Sequence, residues 1–142
     1  MRHDDLTADF DRLCAELVRR TRHARFEPNA DVYADREAGR IIVHVELAGA
    51  EADQLRVGVE ERSLIILGTR VNRSDATGAL HQKEIQFGEF IKRIHLPWPV
   101  DEAHAAAVYR DGILTITLPV ADHEFFPTRR TEIRMTVKRT SL

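Results

Sequence analysis

The chain has 142 residues, 43% of them apolar and 31% charged, with a formal net charge of −2 and a single cysteine, Cys14. That length fits one domain with one core and short flanking arms, and the composition excludes wholesale disorder. No apolar run approaches the roughly 20 residues of a bilayer span, a lone cysteine excludes an internal disulfide, and the small net charge gives no global reason to bind nucleic acid or anionic lipid.

The opening "MRHDDLTADF" lacks the basic-then-apolar order of a secretory signal, which points to a cytoplasmic protein. Over residues 5–20, Leu6, Phe10, Leu13, Leu17 and Val18 fall at helical spacing, with Asp4 or Asp5 as N-cap. The stripe is sparse, the run "RRTRHAR" follows it, and Pro28 restricts the chain next, so residues 1–27 read as a partly helical arm.

From Asp31 the period changes to two. In "RIIVHVEL", Ile41, Val43, Val45 and Leu47 share one face against Ile42, His44 and Glu46. After Gly49, "QLRVGVE" turns at Glu61 and Arg62 and returns as "SLIILGTR", a hairpin. The polar stretch "VNRSDATGA" leads to "LHQKEIQF", and after Gly88 the strand "EFIKRIHLP" carries Phe90, Ile94 and Leu96 on the face of Lys92. In "AAAVYRDGILTITLP" two strands flank Asp111-Gly112, whose residues accept the positive φ values of a two-residue hairpin turn. The strictly alternating "EIRMTVK", Glu132 to Lys138, reads as one more half-buried strand, well beyond the rest. Short strands, Gly-containing turns and no intervening helix predict an all-β, antiparallel immunoglobulin-like sandwich of about seven strands.

Chemistry-bearing patterns are few. Ser63, Ser74, Ser141 and Cys14 sit in no nucleophile-elbow context, and the seven histidines never recur at metal-ligand spacing. His44 and His95 alternate with apolar residues on strands and read as outward or interface-facing side chains. Glu60-Glu61 and Asp4-Asp5 sit in a turn and at a terminus, where capping and solvation explain them. The seven glycines are scattered singly, so no phosphate-binding loop is formed. The sequence gives no grounds for an enzyme, a cofactor, a metal or a nucleic-acid ligand.

The order of the motifs resembles that of the small heat-shock proteins, bacterial type, built on an α-crystallin domain. "DVYADREAGRIIVHVELAGA" resembles the family's opening strands and E-L-P-G turn, "LIILGTR" its L-x-I-x-G-x-R strand, and "GEFIKRIHLP" its G-x-F-x-R-x-x-x-L-P segment. Most specific is "AAVYRDGILTITLP", which places the A-x-x-x-[ND]-G-[VI]-L signature and its L-P at Ala107, Asp111, Gly112, Ile113, Leu114, Leu118 and Pro119. Three positions depart: Ala48 replaces the proline of E-L-P-G, Lys92 the usual arginine with Arg93 beside it, and Val120 a common lysine.

The resemblance implies an α-crystallin domain over 28–121 and a C-terminal extension over 122–142. It also implies an ATP-independent holdase that binds partly unfolded clients, with no cofactor. Residues 71–79 with "LHQKE" (Leu80, His81, Glu84), together with Lys92 and Arg93, resemble the strand-exchange loop of a swapped dimer and its charged anchor. The tail carries an I-x-I/V-like anchor in Ile133, Met135 and Val137, whose implied groove is lined by Leu55, Val57, Val59 and Ala107. Docking on a neighbouring copy and folding back onto the chain's own sheet edge are both open. Leu6, Phe10, Leu13, Leu17, Phe125 and Phe126 are the candidates for client contact or oligomer packing, and the helix can equally dock on its own domain. The implied partners are further copies of this chain and unfolded proteins, with no membrane or nucleic acid. The alternative function is a non-enzymatic adaptor or co-chaperone for one folded partner.

Overall fold

A computed structural model describes residues 3–20, 26–122 and 130–138, with side chains from residue 8 onward in the first stretch. The described residues form one α-helix, two single-turn 3-10 helices (Ala52–Gln54 and Glu102–His104) and nine strands: α1 (His3–Arg20), β1 (Ala30–Asp35), β2 (Arg40–Glu46), β3 (Arg56–Glu60), β4 (Ser63–Arg70), β5 (Gly88–His95), β6 (Ala106–Arg110), β7 (Ile113–Pro119), β8 (Arg130–Ile133) and β9 (Met135–Lys138). The strands form a five-stranded sheet, β1-β2-β7-β6-β9, and a four-stranded sheet, β5-β4-β3-β8. All neighbours are antiparallel except β6 and β9.

Period-two patterning puts Ile41, Val43 and Val45 of β2, and Leu114, Ile116 and Leu118 of β7, on one face of the larger sheet. Val57 and Val59 of β3, Leu64 and Ile66 of β4, and Phe90 of β5 meet them in a single apolar core. Phe26, just before β1, closes one end edge-to-face on Phe90 with ring centroids 5.3 Å apart. The two hairpins turn where the sequence indicated. Asp111 and Gly112 adopt φ of 52° and 79°, and Glu61 adopts φ of 52°. Gly112 is demanded twice over, since a Cβ there would also lie 3.0 Å from Ala48 Cα.

The run "LIIL" of β4 does not alternate because both of its faces are covered. Leu64 and Ile66 point into the core, whereas Ile65 and Leu67 point outward and pack with Phe10, Cys14 and Leu17 of α1. The helix therefore docks on its own domain, across the outer face of the four-stranded sheet. It begins at His3, which puts Asp4 and Asp5 inside its first turn and not at a cap.

Residues 71–86, which include most of "LHQKEIQF", are exposed and irregular in the single chain, with Leu80 and Ile85 73% and 64% exposed. One further expectation needs correction: "EIRMTVK" is not one strand. It breaks at the exposed Arg134 and passes from the edge of one sheet to the edge of the other, so its two halves have different partners.

Candidate interaction site: the groove beneath the tail

Without the tail, β3 and β6 would be the free edges of their sheets on the same side of the domain. An exposed edge presents unpaired N–H and C=O groups and is satisfied by adding a strand. Here the chain's own C-terminal segment is added. β8 runs antiparallel to β3 with Ile133 opposite Val57 and Thr131 opposite Val59, and β9 runs parallel to β6 with Met135 opposite Ala107.

Three of the four groove residues read from the sequence, Val57, Val59 and Ala107, are thus paired along their backbones with the tail, and the fourth, Leu55, is buried just before β3. The three anchor candidates differ. Ile133 is 3% exposed and joins the domain core, Met135 is half-buried against it, and Val137 is 39% exposed. Ile133 is the inserted side chain, and Val137 contributes mainly backbone pairing.

Charge fastens the edge. Arg56 of β3 donates from Nε to Glu132 Oε1 at 2.6 Å and from Nη2 to Oε2 at 2.9 Å. Arg130 of β8 donates from Nε and Nη2 to Glu60 Oε2 at 3.0 and 2.6 Å. Both guanidiniums also reach α1: Arg56 Nη1 lies 3.2 Å from Asp9 Oδ2, and Arg130 Nη1 lies 3.2 Å from Asp11 Oδ1. The hydrogen bond to Glu132 raises the basicity of Arg56, with burial opposing it. Glu60 drew notice in the sequence only as half of a solvated turn pair, whereas it ends β3 and pairs with Arg130; the other five look there like the outward, solvated positions of an alternating strand or helix. Their signal was the opposite charges at matching positions, legible only once β3 and β8 are paired.

The remaining candidates are spread over the domain. Lys92 Nζ donates to Glu27 Oε1 at 3.1 Å, and Arg93 lies 3.7 Å from Glu60. Leu80, His81 and Glu84 lie exposed on the loop, whose end is held by Arg70 donating to the carbonyl of Gln86. Leu114 is core, and Asp111, Gly112 and Pro119 frame the β6–β7 hairpin. Of the client-contact candidates, Phe10 and Leu17 are buried under α1 and Leu13 is partly so; the Leu6 side chain, Phe125 and Phe126 lie outside the described residues. His44 is half-buried with Nδ1 3.1 Å from Thr115 Oγ1, and His95 is exposed. Among the described residues no group of three or more His, Cys, Asp or Glu is placed to hold a metal ion, and no helix is long and apolar enough to cross a membrane.

Two sheets share one apolar core, and the chain's own C-terminal segment completes an edge of each. Residues 33–137 match the model of the Hsp20/alpha crystallin family. The chain belongs to that family, whose members are non-catalytic. It is 33% identical over 105 residues to a probable 15 kDa heat shock protein of Leptospira interrogans, a match covering 74% of this chain and 78% of that one. It is 35% identical over 78 residues to small heat shock protein C4 of Rickettsia felis, spanning 54% of this chain and about half, 48%, of that protein's length. Among solved structures, heat shock protein 16.0 of Schizosaccharomyces pombe superposes with a TM-score of 0.60 at 29% identity, over 68% of this chain and 89% of the other.

Proposed function

We propose that this protein is an ATP-independent holdase: it captures partly unfolded proteins on apolar surface and keeps them from aggregating. The observation that carries this reading is that apolar sheet edges and an apolar sheet face are covered by terminal segments of the same chain. The tail lies along β3 and β6, and α1 lies over Ile65 and Leu67. Lifting either element uncovers an edge or a face of the kind a non-native chain can occupy, with no nucleotide chemistry required. The test is light scattering from a heated client with and without the protein, in the absence of ATP.

We further infer an immunoglobulin-like sandwich domain over 28–121, flanked by an arm (1–27) and an extension (122–142), and self-assembly at two levels. The exposed Leu80 and Ile85 on a long loop favour its exchange into a second copy, with Lys92 and Arg93 near the junction. The tail groove favours linkage between such dimers, because an identical groove on another copy offers Ile133 the same contacts. Burying Ile133 contributes at most about 3 kcal/mol, while ordering the tail backbone costs roughly 1–2 kcal/mol per residue. A single tail is therefore exchangeable, and many tails in one assembly act through avidity. Where the family departures fall, Lys92 meets Glu27 by a single hydrogen bond and offers no two-point fork.

A further inference from the structure

The helix and the tail meet at one place. Asp9 and Phe10 of α1 meet Arg56 and Gly58 of β3, Asp11 meets Arg130 of the tail, and Glu132 lies opposite Gly58 in the β3–β8 ladder. The charges cross over. Arg56, on the sheet, touches one acid from the tail (Glu132) and one from the helix (Asp9); Arg130, on the tail, touches one acid from the sheet (Glu60) and one from the helix (Asp11). Phe10 sits between the two helix acids under the Arg56 guanidinium, 5.2 Å from its ring centroid. The ring lies so close to Gly58 that a Cβ there would fall 2.6 Å from Phe10 Cζ and 3.0 Å from the carbonyl oxygen of Thr131. Gly58 is therefore the floor shared by helix and tail.

We propose that this crossed pair of arginines is a latch that makes docking of the N-terminal helix depend on docking of the C-terminal tail, and the reverse. When the tail leaves, α1 loses its contact to Arg130, and Arg56 loses the carboxylate that fixes its fork over Phe10. The helix then opens more often and uncovers Ile65 and Leu67. When the helix leaves, both arginines lose an acid and the tail is held less firmly. Coupling of this kind is reciprocal by thermodynamic necessity. Use of the uncovered face for client capture rests on the holdase reading; the latch itself does not.

Cys14, buried beneath α1, reports helix opening in the full chain without added labels. In the doubly substituted Arg130→Gln/Glu132→Gln protein, a thiol reagent is expected to modify Cys14 at least about fivefold faster than in the parent. Loss of the Arg130 charge by itself would slow the reaction, because that charge favours the thiolate, so acceleration reports undocking. In Asp9→Asn/Asp11→Asn, hydrogen exchange of the tail amides over 131–138 is expected to rise by a similar factor. Raising salt on the parent protein, which screens the exposed acids, must speed Cys14 labelling and tail exchange together. Labelling that is unchanged in the tail variant, or salt that moves one readout without the other, overturns the latch. Either result leaves the aggregation assay, and hence the holdase reading, unaffected.

Discussion

Arg56 holds Glu132 by two parallel hydrogen bonds, Nε to Oε1 at 2.6 Å and Nη2 to Oε2 at 2.9 Å, and so fixes the register in which Ile133 drops into the core beside Val57. Only a planar guanidinium matches a carboxylate at two points. Arg56→Lys keeps the charge and loses the fork, at a cost of about 1 kcal/mol to tail docking. Hydrogen exchange at Thr131 to Ile133 should quicken roughly fivefold, with little change in the β2–β7 ladder.

Ile133 and Val137 are separated by their burial. Ile133→Ser empties the tail's core position and should undock the tail, raising hydrogen exchange over 131–138 at least about tenfold, while the unfolding free energy of the domain falls only by the small free energy of tail docking. Val137→Ser, on the exposed end of β9, should stay within about 0.5 kcal/mol. Hydrogen exchange of the tail amides in the two variants measures the difference.

Gly112 carries a positive φ and faces Ala48 across a 3.0 Å gap to any added Cβ. Gly112→Ala is expected to destabilise the domain by about 1–3 kcal/mol, because strain and contact add. An equal effect from Gly39→Ala, where a positive φ meets open space, would show that the Ala48 contact contributes nothing.

Burial pushes the Cys14 thiol above its ordinary value of 9.0, with the Arg130 charge working the other way. The unfolded chain then releases its thiol proton at lower pH than the folded one. The contribution is fully present below the ordinary value and is lost as pH rises toward the higher folded value. Stability should therefore decline above about pH 9, and Cys14→Ala should flatten that decline when urea midpoints are compared across the range.

Much of this architecture is written locally. β2 and β7 alternate cleanly because one face is core, and the β6–β7 hairpin is announced by Asp111-Gly112, whose turn chemistry sits between its strands. What was not legible depends on distant partners. The apolar run in β4 hides its second covering, since Ile65 and Leu67 are buried only when α1 crosses them. Helical spacing offers Phe10 and Leu17 equally to solvent, a client or the chain itself; Gly58 decides in favour of the chain by leaving room for the ring. "EIRMTVK" alternates as one strand would, yet the two sheet edges it must serve lie in different sheets, so it bends at Arg134. Arg56, Glu60, Arg130 and Glu132 look like ordinary surface charges until the edge is closed.

Ending the chain at Arg130 removes β9 and most of β8 and leaves β3 and β6 without their added strands. A folded dimer with a lower mass than the parent assembly is expected by light scattering. An unchanged mass would mean that the tail serves its own chain alone.

The most direct measurement heats an aggregation-prone client without ATP and follows turbidity as this protein is added. Capture predicts that scattering falls steadily with added subunits and is nearly abolished at a several-fold subunit excess. Undiminished scattering at that excess would contradict the holdase account and favour an adaptor that recognises one folded partner.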